Sequence, residues 1–316
     1  MFHLERLEVM QQQGMAFKAR RILVATDLDA ASEEAIRAAD AWAKLKGSEV
    51  LACHVGSHLE RGDPLSPQRT EMAEPRSDPL AEHRSAVRHQ FRSVLGRRGE
   101  DVPVYIASGE PGPGIAAVTE ALRPDLLVVG APRGLGLKRL LLGSVAEDVV
   151  RLTRCAVLIV RPATGHGGIL VAADLSDDPL CAVETAAIVS RTISGRVTVV
   201  HALSAGREPQ AGATVEPASM PSHGWWGEAG GDDRLDAPAL PALLQRLGVE
   251  GEARIYREDP VGAVLETAQA LRPELCVVAM DTSGRSIHGG LESAARILIH
   301  AGTCSVLVVR PARATA

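Results

Sequence analysis

Aromatic side chains are scarce in this chain: Phe, Trp and Tyr make up 3% of its 316 residues, while apolar residues as a group make up 46%. A core built almost without rings must be packed from Val, Leu, Ile and Ala, which suits parallel strands covered by helices on both faces. Long apolar runs are missing as well. The longest stop at about five or six residues, as at Leu126–Val129 and Val157–Val160, whereas a membrane-spanning helix needs about 20. Positive charge is not in excess. The net charge of −5 argues against a partner bound through a nucleic-acid phosphate backbone. The first residues, MFHLERLEVMQQQG, lack a basic start followed by an apolar run and do not read as a secretory signal.

Cysteine is sparse and unpaired in spacing. Cys53, Cys155, Cys181, Cys276 and Cys304 form no CxxC motif. An odd, scattered set argues against a disulfide framework or a zinc site. Each lies in or beside an apolar run and reads as a small buried hydrophobe. Together these absences predict a reducing, cytoplasmic setting with neither membrane nor nucleic acid as partner.

What is present is a repeat. LRPDLLVVG at 122–130 faces LRPELCVVA at 271–279, an offset of 149 that holds to CAVLIVRP at 155–162 and CSVLVVRP at 304–311. ILVATDL at 22–28 faces ILVAADL at 169–175, an offset of 147. The two-residue change falls in middle segments that do not resemble each other. A period near one domain length marks a duplication rather than a solenoid. The boundaries read as a 1–19 extension, a first domain at 20–162, a short Pro/Gly junction, and a second domain at 168–312. The second domain carries a Gly-, Ala-, Pro- and Glu-rich insert, 203–236, which reads as a long loop.

Each half alternates strand and helix. In the first, strands are predicted at Arg21–Thr26, Glu49–Val55, Val102–Ala107, Leu126–Gly130 and Ala156–Val160. Helices are predicted at Ser32–Lys46, ended by Gly47; from Pro79, capped by Asp78, to about Arg98; from Pro113 to Leu122; and at Leu142–Leu152. Residues 56–78 read as a Pro-rich polar loop. The order βαβαβαβαβ predicts an α/β fold with an open, doubly wound, five-stranded parallel sheet in each half, helices on both faces, and right-handed crossovers.

The chemistry concentrates after the fourth strand, in GAPRGLGLKRLLLGSVAED at 130–148. A glycine ends a buried strand, a Gly-rich loop follows, and Gly143-Ser144 is predicted to open a helix. Glycines allow close backbone approach, and the free N–H groups and dipole of a helix start favour phosphate. Arg133, Lys138 and Arg139 could neutralise charge there, although the last two read equally well as a solvated helix face. In an open α/β sheet the ligand belongs outside the carboxyl ends of the strands, at the switch point. Asp27, at the end of the first strand, would lie across that crevice.

Gly130 and, thirteen residues on, Gly143-Ser144 resemble the G-x2-G-x9-G-[ST] pattern of ATP-binding universal stress proteins. ATDL at 25–28 and ACHV at 52–55 resemble that family's first two strands. The resemblance covers both halves. It implies two Rossmann-like domains of the adenine nucleotide alpha-hydrolase type, paired through their last strands as an internal pseudo-dimer. It implies ATP, with magnesium, as the ligand. It places Ala25, Thr26, Asp27, Val55, Gly130, Arg133, Gly134, Gly143, Ser144 and Val145 around that ligand: the Asp27 carboxylate by the nucleotide, the Val55 backbone at adenine, the loop glycines and the Gly-Ser pair on the phosphates.

The chain departs from the pattern at two places. Position 133 is Arg, with the expected glycine one residue later at Gly134. Either Gly134 serves with a shifted backbone, or Arg133 closes the approach. In the second half Ala279 and Glu292 replace Gly130 and Gly143, and of the motif only Ser293 remains. A Glu at a phosphate-cradling helix start repels an anion, so the first half alone is expected to bind the nucleotide. Asp174, the counterpart of Asp27, proves little by itself, and either aspartate could be a turn or cap residue. His54 and His201 close matching strands and read as hydrogen-bonded structural histidines. Trp225-Trp226, in the insert, would cover a core edge or anchor a partner.

Three functions compete. The first is a regulatory protein of the stress response that binds an adenine nucleotide and acts on protein partners the sequence does not name. The second is an enzyme. Against it stand the absence of a Walker lysine, of SGGxDS or HIGH after the first strand, and of any general base, which leaves slow ATP hydrolysis at most. The third is an interaction module that kept the fold for pairing, with further pairing between chains through the inserts left open.

Overall fold

Strand β1, Arg21–Ala25, shows how the sheet is buried. Ile22 and Val24 join one apolar cluster, Leu23 and Ala25 the other, and all four are buried. Successive side chains of a strand point to opposite faces, so a strand apolar at every position must be covered on both sides. The computed structural model describes residues 19–56, 79–131, 137–162, 167–173, 180–193, 195–203, 239–257, 260–280, 297–299 and 304–310. Outside these fall residues 1–18, the polar loop with its cap Asp78, Arg133 and Gly134, Asp174, the insert from 204 with Trp225-Trp226, and Glu292 with Ser293.

The first half contains β2 (Glu49–Gly56), β3 (Val104–Ser108), β4 (Leu126–Gly130) and β5 (Ala156–Val160) besides β1. Its helices are α1 (Ala30–Lys46), α2 (Pro79–Leu95), α3 (Pro111–Leu122) and α4 (Leu137–Leu152). The second half contains β6 (Ile169–Ala173), β7 (Val197–Leu203), β8 (Gly251–Arg257), β9 (Leu275–Ala279) and β10 (Ser305–Val309), with α5 (Leu180–Ile193), α6 (Ala239–Arg246) and α7 (Pro260–Leu271).

The ten strands among the described residues form one sheet in the order β3-β2-β1-β4-β5-β10-β9-β6-β7-β8. Every pairing within a half is parallel. The halves meet where β5 and β10 run antiparallel, with Leu158 opposite Leu307. Each half is the parallel, doubly wound sheet predicted from its alternation, and one half's strand order mirrors the other's across that seam. Helices α1 and α2 and their counterparts α5 and α6 supply one apolar layer through residues such as Ile36, Phe91, Val183 and Leu244. Helices α3, α4 and α7 supply the other through Val118, Val149 and Val264. Both layers run across the seam.

Helix boundaries moved where local chemistry outweighed periodicity. Helix α1 starts at Ala30 rather than Ser32 because Asp29 caps it, its carboxylate accepting the Ser32 N–H at 2.8 Å. Gly47 ends it in the left-handed conformation, φ 65°. Helix α2 stops at Leu95 and tightens into a 3-10 turn, Gly96–Gly99. Strand β3 begins two residues later than predicted, at Val104. Helix α3 begins at Pro111, since a first-turn proline has no intrahelical N–H bond to lose. It ends at Arg123 with φ 46°, and Arg272, the same place in the repeat, also has φ 46°. Both precede a proline, which disfavours the right-handed helical conformation. The duplication has therefore kept an uncommon backbone turn in both copies.

Two arginines lace the seam. Arg161 follows β5 and reaches into the second half, where its guanidinium donates to the carbonyl of Cys304 at 3.0 Å and to that of Ile299. Its backbone N–H donates to the Ser305 hydroxyl at 3.1 Å, and that hydroxyl donates back to the Arg161 carbonyl at 3.2 Å. Arg310, its counterpart, donates to the carbonyls of Val150 and, at 3.3 Å, Thr153 at the end of α4, and to Met280 at 3.3 Å. Carbonyls at a helix end lack intrahelical donors and carry the negative end of the dipole, so a cation suits them.

Candidate functional site

The switch point of the first half lies between β1 and β4, where the chain turns to opposite faces. Ala25 pairs with Val129, so Thr26–Asp27 and Gly130–Ala131 leave the sheet side by side at its carboxyl edge.

The turn after β1 is built from short polar side chains. Thr26 is buried and its N–H still bonds the Cys53 carbonyl at 2.9 Å, one rung beyond the strand. Its hydroxyl donates to the Gln90 Oε1 of α2 at 2.6 Å and accepts the Leu28 N–H at 3.0 Å. Leu28 has φ 71° and stands exposed, an uncommon conformation for a residue with a large side chain. Asp27 is held in place by the same turn. Its Oδ1 accepts the Ser32 hydroxyl at 2.6 Å and the Asp29 N–H at 3.2 Å, while its own N–H donates to the Ser32 Oγ at 3.1 Å. The cap and the turn fall on different residues: Asp29 caps the helix, while Asp27 ties the turn to Ser32 and Asp29.

The two carboxyls are perturbed in opposite directions. Partial burial pulls Asp27 up, but hydrogen bonds from the Asp29 side chain and Ser32, together with backbone donors, outweigh it and hold the group below the ordinary aspartate value. Asp29 is raised, first by burial and then by its bond with Asp27. A carboxyl raised by folding contributes stability below its unfolded pKa and loses it as pH rises through the folded value. Asp29→Asn keeps the capping oxygen and removes the like charge beside Asp27. The variant is expected to match or exceed the wild-type thermal midpoint near neutral pH, with the gap closing in acid. A lower midpoint at neutral pH would mean that the dipole of α1 outweighs the repulsion.

Behind the turn, His54 of β2 donates from Nδ1 to the Thr26 carbonyl, 2.8 Å away. A carbonyl only accepts, so Nδ1 carries a proton, and the ring nitrogen that faces α2 is Nε2. His83 Nδ1 lies 3.2 Å from it, the two rings stacked with centroids 5.1 Å apart. His54 therefore positions Thr26, as expected of a structural histidine. Its partner His83 was not foreseen, because helix periodicity alone does not reveal which α2 residue meets β2. Val55 follows His54, half-buried beside Ala107 of β3.

Gly130 ends β4 beside Val160 of β5. A Cβ built there would lie 2.3 Å from the Ala31 carbonyl oxygen. The first turn of α1 presses on this position, so the fold itself requires glycine there, whatever else approaches. Beyond it, Ala131 donates to the Val160 carbonyl at 2.9 Å.

The predicted helix opening at Gly143-Ser144 is corrected. Helix α4 begins at Leu137, six residues before Gly143. The run LKRLLL is made of strong helix formers, and an internal glycine costs only about 1 kcal/mol relative to Ala, too little to stop them. Lys138 and Arg139 consequently fall in the first turn of α4. Val145 is half-buried against the apolar layer of that face.

The sequence model of the universal stress protein family matches residues 18–161 and again residues 167–310. The chain belongs to this family. A universal stress protein of Methanocaldococcus jannaschii is 30% identical over 146 residues, covering 45% of this chain and 82% of the relative. The structure of a universal stress protein from Archaeoglobus fulgidus aligns along both halves, covering 95% of this chain and 99% of the other at a TM-score of 0.64 and 18% identity. Another A. fulgidus universal stress protein, solved in complex with dAMP, aligns with 46% of this chain and 99% of its own, at a TM-score of 0.31 and 19% identity. In this universal stress protein no helix among the described residues is long and apolar enough to cross a membrane, and no described group of three or more His, Cys, Asp or Glu could hold a metal.

Proposed function

We propose that this universal stress protein is a nucleotide-responsive regulator of the stress response, in which the first half binds ATP and the second is its scaffold. The observation that carries the reading is the turn Thr26–Asp27 set beside Gly130–Ala131 at a doubly wound switch point, the place where such folds take ligands. Its support is the one-sided motif: the second half has Ala279 and Glu292 where the first has Gly130 and Gly143. Ala25, Thr26 and Val55 would offer backbone to the base, and Asp27 its carboxylate to the ribose. The phosphates, with magnesium, would meet the free N–H groups at the start of α4, flanked in sequence by Arg133-Gly134 and by Gly143, Ser144 and Val145. The second half takes the seat that a partner chain would occupy, making an internal pseudo-dimer. No general base is identifiable, so turnover is at most slow. Cysteines that form no disulfide in the structure suit a reducing, intracellular compartment.

Calorimetric titration with magnesium and ATP is expected to give one nucleotide per chain. Asp27→Asn keeps the oxygen that Ser32 and Asp29 bind but loses the charge, and is expected to weaken ATP about tenfold or more, the worth of a hydrogen bond to a charged group. Absence of binding would favour the pairing module instead. One observation already leans that way: the backbone of Ala31 accounts for Gly130 without any ligand.

A further inference from the structure

The cysteines read from sequence as five separate small hydrophobes, yet two of them meet. Cys276 on β9 and Cys304, immediately before β10, place their sulfurs 3.2 Å apart. Both are free thiols and both are buried, Cys276 at 1% and Cys304 at 5% exposure. A disulfide bond is about 2.05 Å long, so closing this pair asks little more than 1 Å of movement between groups on hydrogen-bonded neighbouring strands.

The duplication supplies an internal comparison. Cys155 is the first-half counterpart of Cys304, at the same place before its last strand, and each stands by the seam arginine of the other half. Opposite Cys155, however, the counterpart of Cys276 is Leu127. Burial pushes the Cys155 thiol up to about 11, and that of the isolated Cys53 to about 12. Cys304 is lowered instead, first by the hydrogen bond with Cys276 and, against the opposing effect of burial, by the Arg161 guanidinium, while Cys276 is raised well above the ordinary value by the same bond and by burial. Only the second half has the resolving partner.

We propose that Cys276 and Cys304 form a reversible oxidation site for hydroperoxides, the second half's own chemistry at the seam. The Cys304 thiolate attacks the peroxide oxygen. The O–O bond breaks, the leaving oxygen takes up a proton as water or alcohol, and Cys304 becomes a sulfenic acid. The Cys276 sulfur then displaces that hydroxyl as water, and the S–S bond forms. Two thiols are oxidised by two electrons and one peroxide is reduced, with no further reactant. The product staples β9 to β10 and closes the whole connection between them, next to the Cys304 carbonyl that Arg161 holds.

The test uses the full chain, hydrogen peroxide and the wild-type cysteines. After treatment and denaturation, three of the five thiols should remain alkylatable, and a proteolytic map should show one linked pair of peptides, joining Cys276 to Cys304. The thermal midpoint should rise by roughly 5–10 °C, as expected for cross-linking a loop of this length, and fall back with dithiothreitol. In Cys276→Val, Cys304 should be trapped by dimedone as the sulfenic acid, and Cys155→Ser should leave the link intact. Survival of all five thiols, a link between other cysteines, or overoxidation of Cys304 without a link would each overturn the proposal. The outcome is independent of whether the first half binds ATP.

Discussion

Arg310→Ala is expected to lower the thermal midpoint by roughly 5–10 °C and to split one unfolding transition into two. The side chain donates to carbonyls of Val150, Thr153 and Met280. The first two belong to the end of α4 in the other half. Removing the guanidinium deprives part-buried carbonyls of this donor, at about 1–3 kcal/mol each where no water can replace it, and a loss of a few kcal/mol corresponds to the shift stated. Arg310→Lys should rescue little, because one compact ammonium cannot serve carbonyls that a planar fork reaches in several directions. Scanning calorimetry decides: an unchanged single transition would show that the apolar strands of β5 and β10 join the halves without help from the lacing.

Gly130→Ala is expected to destabilise the first half by about 3 kcal/mol or more, with nucleotide binding lost alongside. The new methyl would stand 2.3 Å from the carbonyl oxygen of Ala31, a backbone atom in the first turn of α1 that cannot rotate away. Overpacking of a well-filled site costs about 1–3 kcal/mol, and here the atom in the way belongs to the helix that Asp29 caps and that carries Ser32, the partner of Asp27. The reverse change, Ala279→Gly in the second half, should cost only the ~0.5–1 kcal/mol of added chain entropy. Denaturant titration of the two variants separates the explanations. A stable Gly130→Ala protein that fails to bind ATP would assign the glycine to the ligand rather than to the helix.

The parts of this molecule that were legible in its sequence are those set by periodicity and by repetition. Strands such as Leu126–Gly130 and Ala156–Val160 were placed to the residue because they are apolar throughout and bounded by polar turns. The parallel, doubly wound class of each half followed from alternation, and the correspondence between halves from the offset, whereas the order of the strands came only with the structure. What escaped depended on contacts between distant segments. The Cys276–Cys304 approach spans 28 residues and rests on strand register. The His83 contact depends on how α2 lies over β2. The start of α4 differs from the sequence expectation because Gly143 resembles a boundary, although its neighbours are strong helix formers. The division of labour between Asp27 and Asp29 needed side-chain geometry, since either spacing is compatible with a cap.

The antiparallel meeting of β5 and β10 has a consequence for inheritance. Were the two halves separate and identical chains, every substitution would fall on both sides of the seam at once, and any loss of a ligand site would be double. Carried in one polypeptide, each side mutates alone. The tether also makes the encounter intramolecular, so that pairing is set by an effective local concentration and not by how many copies the cell makes. Ala279 and Glu292 can therefore differ from Gly130 and Gly143, and Cys276 from Leu127, without any change reaching the opposite half. Two halves held in one chain are free to specialise separately.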